Sequence, residues 1–125
     1  MNLNQVTVPT NNMDASVAFY KLLGLNLIVD AAPRYVRFEC PDGDSTFSIH
    51  QIDEMGAGEA PVVYFETQSL NAEVDRLQQS GIIFDLLPTD QSWGWREARL
   101  TDPAGNKIIL FWGGEHRKNP PWRVK

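Results

Sequence analysis

Apolar residues recur along this chain with two different periods, and the periods alternate in a fixed order. Met13, Val17, Tyr20 and Leu23 fall three and four apart, with Phe19 and Leu22 widening the stripe, which is the spacing of one helix face. Asn12 stands before them as an N-cap and Gly24 after them as a stop. A second stretch, 70–80, repeats the pattern: Leu70, Val74 and Leu77 form the stripe, Asp75, Arg76, Gln78 and Gln79 take the solvent side, and Ser69 and Gly81 punctuate the ends. A short strand pattern precedes each helix (3–8 and 62–66), and each terminal glycine leads into another (25–29 and 82–86). The turns Pro41-Asp42-Gly43 and Pro103-Ala104-Gly105 then separate the runs 35–40 and 46–50, and 96–100 and 107–112. The order strand, helix, strand, strand, strand thus occurs twice. It predicts an α+β domain of two βαβββ modules, about 1–55 and 60–112, followed by a tail, 113–125.

Alternation along each strand sorts its residues onto two faces. Val6 and Val8, Val36 and Phe38, Phe47 and Ile49 share one face of the first module; Val63 and Phe65, Ala98 and Leu100, Ile108, Leu110 and Trp112 share one face of the second. These faces pack on the helices, and a slip of one residue would expose all of them, so the alternation fixes the register. The other faces mix Gln5, Thr7, Tyr35, Arg37, Glu39, Thr46, Ser48 and His50 in the first module with Val62, Tyr64, Glu66, Trp95, Glu97, Arg99, Lys107, Ile109 and Phe111 in the second. A mixed face of this kind either looks at water or lines a ligand cavity. The aromatics Tyr35, Tyr64, Trp95 and Phe111 favour the cavity.

Composition narrows the partners. The chain has 125 residues, 42% hydrophobic and 22% charged, enough for one globular domain with a modest core. Its net charge of −5 argues against nucleic acid or an anionic membrane surface as partner. No signal-peptide pattern opens the chain and no apolar run reaches membrane-spanning length. The lone Cys40 excludes an internal disulfide and suits a reducing compartment, so a cytoplasmic protein is expected, with Cys40 as packing rather than nucleophile.

Several segments resemble a known family. Leu3-Asn4-Gln5-Val6-Thr7-Val8, Ser16-Val17-Ala18-Phe19-Tyr20 and Leu23-Gly24-Leu25 resemble the first half of glyoxalase I and bleomycin-resistance proteins, and 102–110 resembles that family's final turn and strand. This is the vicinal oxygen chelate superfamily, and the resemblance spans about 3–112. It implies an incomplete barrel with a shared cavity, helices on the outer face, and a homodimer. It also implies metal ligands on the inward face of the first and last strands of each module. Those positions here read Gln5, Ser48, Val62 and Ile109. Only Gln5 offers a usable ligand atom, Ser48 is a poor one, and Val62 and Ile109 offer none, so no metal or other cofactor is expected. A displaced site would have to draw on His50, Glu39, Glu66 and Glu97, with His116 as the only other histidine.

The residues expected to bind a ligand are Gln5, Arg37, Ser48, His50, Tyr64, Glu66, Trp93, Trp95, Glu97 and Arg99. His50 can act as acid or base, hydrogen-bond a ligand, or be satisfied by a carboxylate such as Glu66. Arg37 and Arg99 can clamp a carboxylate or phosphate, or neutralise Glu39 and Glu97. Trp93-Gly94-Trp95 can stack a planar ligand or pack beneath a loop. In the tail, Gly113-Gly114 frees the chain and Asn119-Pro120-Pro121-Trp122 stiffens it, so it folds back on the domain or clasps a dimer partner. The leading expectation is a metal-free protein binding a small, partly aromatic molecule. The alternatives are a lyase, isomerase or dioxygenase with an atypical metal site or His50-based acid–base catalysis, and an interaction module whose cavity is vestigial.

Overall fold

The computed structural model describes residues 1–124. They form two compact units, Met1–Glu59 together with Asp102–Asn106, and Ala60–Thr101 together with the chain from Lys107 onward. The first contains β1 (Gln5–Thr10), α1 (Met13–Leu22), β2 (Asn26–Ala31), β3 (Tyr35–Glu39) and β4 (Thr46–Gln51). The second contains β5 (Val63–Glu66), α2 (Leu70–Gln79), β6 (Phe84–Asp90), β7 (Arg96–Thr101), β8 (Lys107–Trp112) and the short α3 (Glu115–Lys118). Each unit holds one four-stranded mixed sheet, in the order β1-β4-β3-β2 or β5-β8-β7-β6. In each, the first strand pairs parallel with the last and the remaining pairs are antiparallel. The fold is therefore α+β, two βαβββ modules, with sheets that do not close into a barrel. Among the described residues no helix is long and apolar enough to cross a membrane.

The registers follow the apolar sorting. In the first sheet Val6 lies opposite Phe47, Val8 and Val36 opposite Ile49, and Phe38 opposite Phe47. Tyr20 of α1 lays its ring 4.5 Å from that of Phe47 and 6.3 Å from that of Phe38, and all three side chains are buried. In the second sheet Val63 and Leu100 lie opposite Ile108, and Phe65 and Ala98 opposite Leu110; the buried Leu70, Val74 and Leu77 of α2 cover this side. Each such side chain contributes about 1.5–3 kcal/mol by leaving water, so the register is strongly determined.

Both helices end in the same way. Gly24 and Gly81 adopt φ of +100° and +94°, a region that favours glycine. In each case the glycine N–H donates to the carbonyl three residues back (Lys21, Gln78) and the next N–H to the carbonyl five back (Tyr20, Leu77), all at 3.0–3.1 Å, which is a Schellman ending. The starts differ. Asn12 accepts from the Ala15 N–H at 3.2 Å as expected, whereas Ser69, expected to cap α2 in the same manner, makes no side-chain cap bond; the Ser69 N–H instead donates to Thr67 Oγ1 at 3.2 Å.

Two edge strands run further than their patterns suggest. β1 continues through Pro9 to Thr10, and β6 through Pro88 to Asp90. Both are edge strands, where a proline without an N–H breaks no sheet ladder. Thr10 is buried because its hydroxyl bonds Ser16 Oγ at 2.7 Å and accepts from the Asn12 N–H at 3.0 Å, tying β1 to the start of α1.

The turn between β7 and β8 belongs to the first unit for a specific reason. Asp102 Oδ2 accepts from the Tyr20 hydroxyl at 2.6 Å and from Asn106 Nδ2 at 2.8 Å, while Oδ1 accepts from the N–H groups of Ala104 and Asn106 at 2.9 and 2.8 Å. Asn106 Nδ2 also donates to the Pro9 carbonyl at 2.9 Å. Burial first, then the charge of Asp102 and its hydrogen bond, push the Tyr20 phenol far above the ordinary 10.0. Because the folded value lies above the unfolded one, the stabilisation is whole below pH 10.0 and is lost as pH rises beyond it, when the unfolded chain releases a proton that the folded chain keeps. Urea melts on either side of pH 10.0 should therefore show a steeper alkaline loss of stability for the wild type than for Tyr20→Phe. At neutral pH that variant should itself be about 1–2 kcal/mol less stable, because one acceptor of a buried carboxylate loses its donor.

Candidate functional site

The face of the first sheet turned away from α1 carries the polar residues of the alternation. Gln5 lies beside Thr46, Thr7 and Arg37 beside Ser48, and Tyr35 beside His50. Their side chains form a chain of hydrogen bonds. Thr46 Oγ1 donates to Gln5 Oε1. Gln5 Nε2 donates to Ser48 Oγ at 2.5 Å, Ser48 Oγ lies 2.6 Å from the Tyr35 hydroxyl, and Arg37 Nε donates to that hydroxyl at 3.0 Å. The Ser48 bond above all holds the Tyr35 phenol below its ordinary 10.0; burial opposes it, and the bond and charge of Arg37 add to the lowering. Arg37 also stands 5.5 Å from the Tyr35 ring centre. Among the described residues Arg37 forms no ion pair with Glu39, and the partner it takes, the Tyr35 hydroxyl, was not among those expected. His50 is exposed near the end of β4, and its imidazole makes no hydrogen bond or ion pair among the described residues.

The corresponding face of the second sheet is aromatic around one buried acid. Trp95 and Phe111 stack at 4.7 Å and 29°, and Tyr64 meets both edge-on at 6.1 and 5.5 Å, arrangements that aromatic quadrupoles favour. Glu97, opposite Phe111 in the register, is 1% exposed. Arg99 Nη2 reaches Glu97 Oε1 at 3.1 Å, so this expected ion pair forms, while Oε2 has no partner among the described residues. Beside Glu97 and Arg99, the apolar Ile109 lies on the same face.

The tail sits on this cluster. Glu66 Oε2 accepts from the N–H groups of Gly113 and Gly114 at 3.0 and 3.1 Å, and Oε1 pairs with Arg117 Nε at 3.5 Å. A Cβ on Gly113 would stand 3.1 Å from Trp95 Nε1 and 3.2 Å from the Phe111 ring, and one on Gly94 only 2.8 Å from His116 Nδ1. Gly94, at φ +87°, thus lets α3 seat against the loop that carries Trp93 and Trp95. Trp93 is partly exposed there. Glu66→Gln should loosen this strap while leaving the sheet intact. Hydrogen exchange should show the Gly113 and Gly114 amides losing about 1–3 kcal/mol of protection, the usual worth of bonds to a charged acceptor.

Tyr35 and Phe111 fall on these faces by alternation but are not among the residues expected to bind a ligand; the structure makes each a centre of its cluster. Phe111 was legible from alternation with Ile109, whereas the link from Tyr35 to Ser48 depends on cross-strand register. A separate open groove of about 290 Å³ lies between α2 and β6, lined by Val74, Leu87, Pro88 and Arg96 among others. Arg96 is already bound to Asp90 at 3.0 Å and Asn71 at 3.1 Å.

A chelated metal ion does not fit these residues. Gln5 and Ser48 bond each other, and the Gln5 amide oxygen is occupied by Thr46. Val62 precedes β5 and Ile109 is buried and apolar. Among the described residues no three His, Cys, Asp or Glu side chains come together as a ligand set.

Paired βαβββ modules, each with one helix-covered sheet face and one mixed face, define the class of fold. The chain belongs to the Glyoxalase/Bleomycin resistance protein/Dioxygenase superfamily, whose family model matches residues 2–110. Among solved structures it is similar to a glyoxalase/bleomycin resistance protein/dioxygenase from Nocardioides, with 24% identity, a TM-score of 0.78, and coverage of 100% of this chain and 90% of that one. Lactoylglutathione lyase from Agrobacterium tumefaciens is 19% identical with a TM-score of 0.75, covering 90% and 93% of the two chains. A bleomycin-binding protein complexed with bleomycin is 18% identical with a TM-score of 0.73, covering 91% and 99%. At these identities the likeness concerns the fold. No curated protein matches the chain.

Proposed function

We propose that this protein binds a small, partly aromatic molecule against the mixed face of its second sheet, without a chelated metal. The observation that carries this reading is the cluster of Tyr64, Trp95 and Phe111 around Glu97. Three large rings beside a buried carboxylate match the make-up of ligand sites, which combine apolar walls with a few placed polar groups. That a similarly folded protein holds bleomycin is consistent with the scaffold accepting such a molecule. The reading includes a homodimer, as the family resemblance implies, and a reducing cytoplasmic setting, which the lone Cys40 suits; burial pushes its thiol above the ordinary 9.0, which lowers its thiolate fraction.

A panel of planar aromatic metabolites and drugs, screened by thermal shift and followed by titration calorimetry, tests the reading. At least one class should stabilise the protein with a saturable isotherm, with or without chelator. Stabilisation by divalent metals alone, abolished by chelator, would contradict it.

A further inference from the structure

Resting on that binding reading, we infer that the site selects planar rings bearing an N–H or O–H donor on one edge, with Glu97 Oε2 as the acceptor. A carboxylate offers about four lone-pair positions. In Glu97 only Oε1 is engaged, by Arg99, and Oε2 is the one buried side-chain polar atom without a partner among the described residues. Such atoms are rare in folded proteins and call for a reason. Position supplies one. Glu97 lies opposite Phe111 and two residues after Trp95 along the chain, so Oε2 belongs to the same face as the stacked rings. Glu97 is only 1% exposed and Phe111 4%, so a flat ligand lays its donor edge on Oε2 by displacing what covers the acid in the unliganded protein.

The charges on this face decide between a donor and a cation. Arg99 already neutralises Glu97, and Glu66 is engaged by Arg117 and the two tail amides. What remains unmet is a single hydrogen bond, not a net negative charge. The class selected is therefore rings with a donor on that edge, with no requirement for positive charge, and rings of equal outline presenting an acceptor there are rejected, because acceptor would face acceptor.

Indole and benzofuran make the comparison, since they share one outline and differ in N–H against O. Their dissociation constants are measured by NMR titration of the wild type. Indole should bind tighter by on the order of tenfold to a hundredfold, the worth of one hydrogen bond to a charged acceptor. In Glu97→Gln, Arg99 retains the amide oxygen and the NH₂ takes the place of Oε2, so the preference should shrink or reverse towards benzofuran. Equal affinities in the wild type would overturn the inference while leaving binding itself intact, as would an unchanged indole preference in the variant. No saturable binding of either ring would overturn the binding reading and this inference with it. The wild-type comparison needs no variant, so a folding defect in Glu97→Gln cannot obscure the outcome.

Discussion

Replacing Asp102 with alanine should cost about 3–5 kcal/mol of unfolding free energy, the range for breaking a buried charged network. The side chain is 4% exposed and accepts four hydrogen bonds. Its removal leaves the Tyr20 hydroxyl buried without its acceptor, frees the Ala104 and Asn106 amides, and releases Asn106 from the position in which it donates to the Pro9 carbonyl. The loss should exceed that of Tyr20→Phe by about 2 kcal/mol or more, since the phenylalanine variant removes one donor and leaves the turn bonds in place. Asp102→Asn should fall between them, because an amide oxygen can accept some of the bonds but an NH₂ cannot replace the second oxygen. Chemical denaturation of the three variants measures the order. Equal losses for Asp102→Ala and Tyr20→Phe would show that the turn does not depend on the carboxylate.

Trp95→Ala should have the largest effect on binding, weakening any ring ligand by about 30-fold or more, equivalent to about 2 kcal/mol or above for a well-packed aromatic anchor. Trp95 stacks on Phe111 and meets Tyr64 edge-on, so its removal takes away one wall and unsupports a second. Trp93, two residues earlier, is 37% exposed and makes no ring contact among the described residues, and it should tolerate alanine with less than about a threefold change, as a residue at the rim of a site does. The paired comparison also distinguishes the two readings open for this tryptophan–glycine–tryptophan segment. If both rings serve only as core beneath a loop, both variants lose stability and neither changes affinity selectively.

The fold was legible because the same physical device is used twice. Two stripes at helical spacing, each stopped by a glycine at positive φ, and strands whose alternation sets one apolar face fixed the βαβββ order and the register. The strand ends were less legible, since Pro9 and Pro88 lie on edges, and whether a strand is an edge strand depends on the sheet order and not on local sequence. The binding faces were readable as sets of residues but not as networks. Alternation placed Arg37 with Glu39 and Arg99 with Glu97 equally well, yet among the described residues only the second pair forms, while Arg37 Nε donates to the Tyr35 hydroxyl. Glu66 likewise read as a ligand residue. Its commitment to the Gly113 and Gly114 amides arises from the return path of a tail whose course no periodic pattern specifies.

The absence of a chelating set from Gln5, Ser48, Val62 and Ile109 makes the aromatic face the centre of the account. The most direct test is an NMR shift map of the protein titrated with a ring ligand from the panel. The largest perturbations should fall on Tyr64, Trp95, Glu97 and Phe111, including the Trp95 indole N–H. Perturbations concentrated instead on Val74, Leu87 and Pro88, which line the groove between α2 and β6, would contradict it.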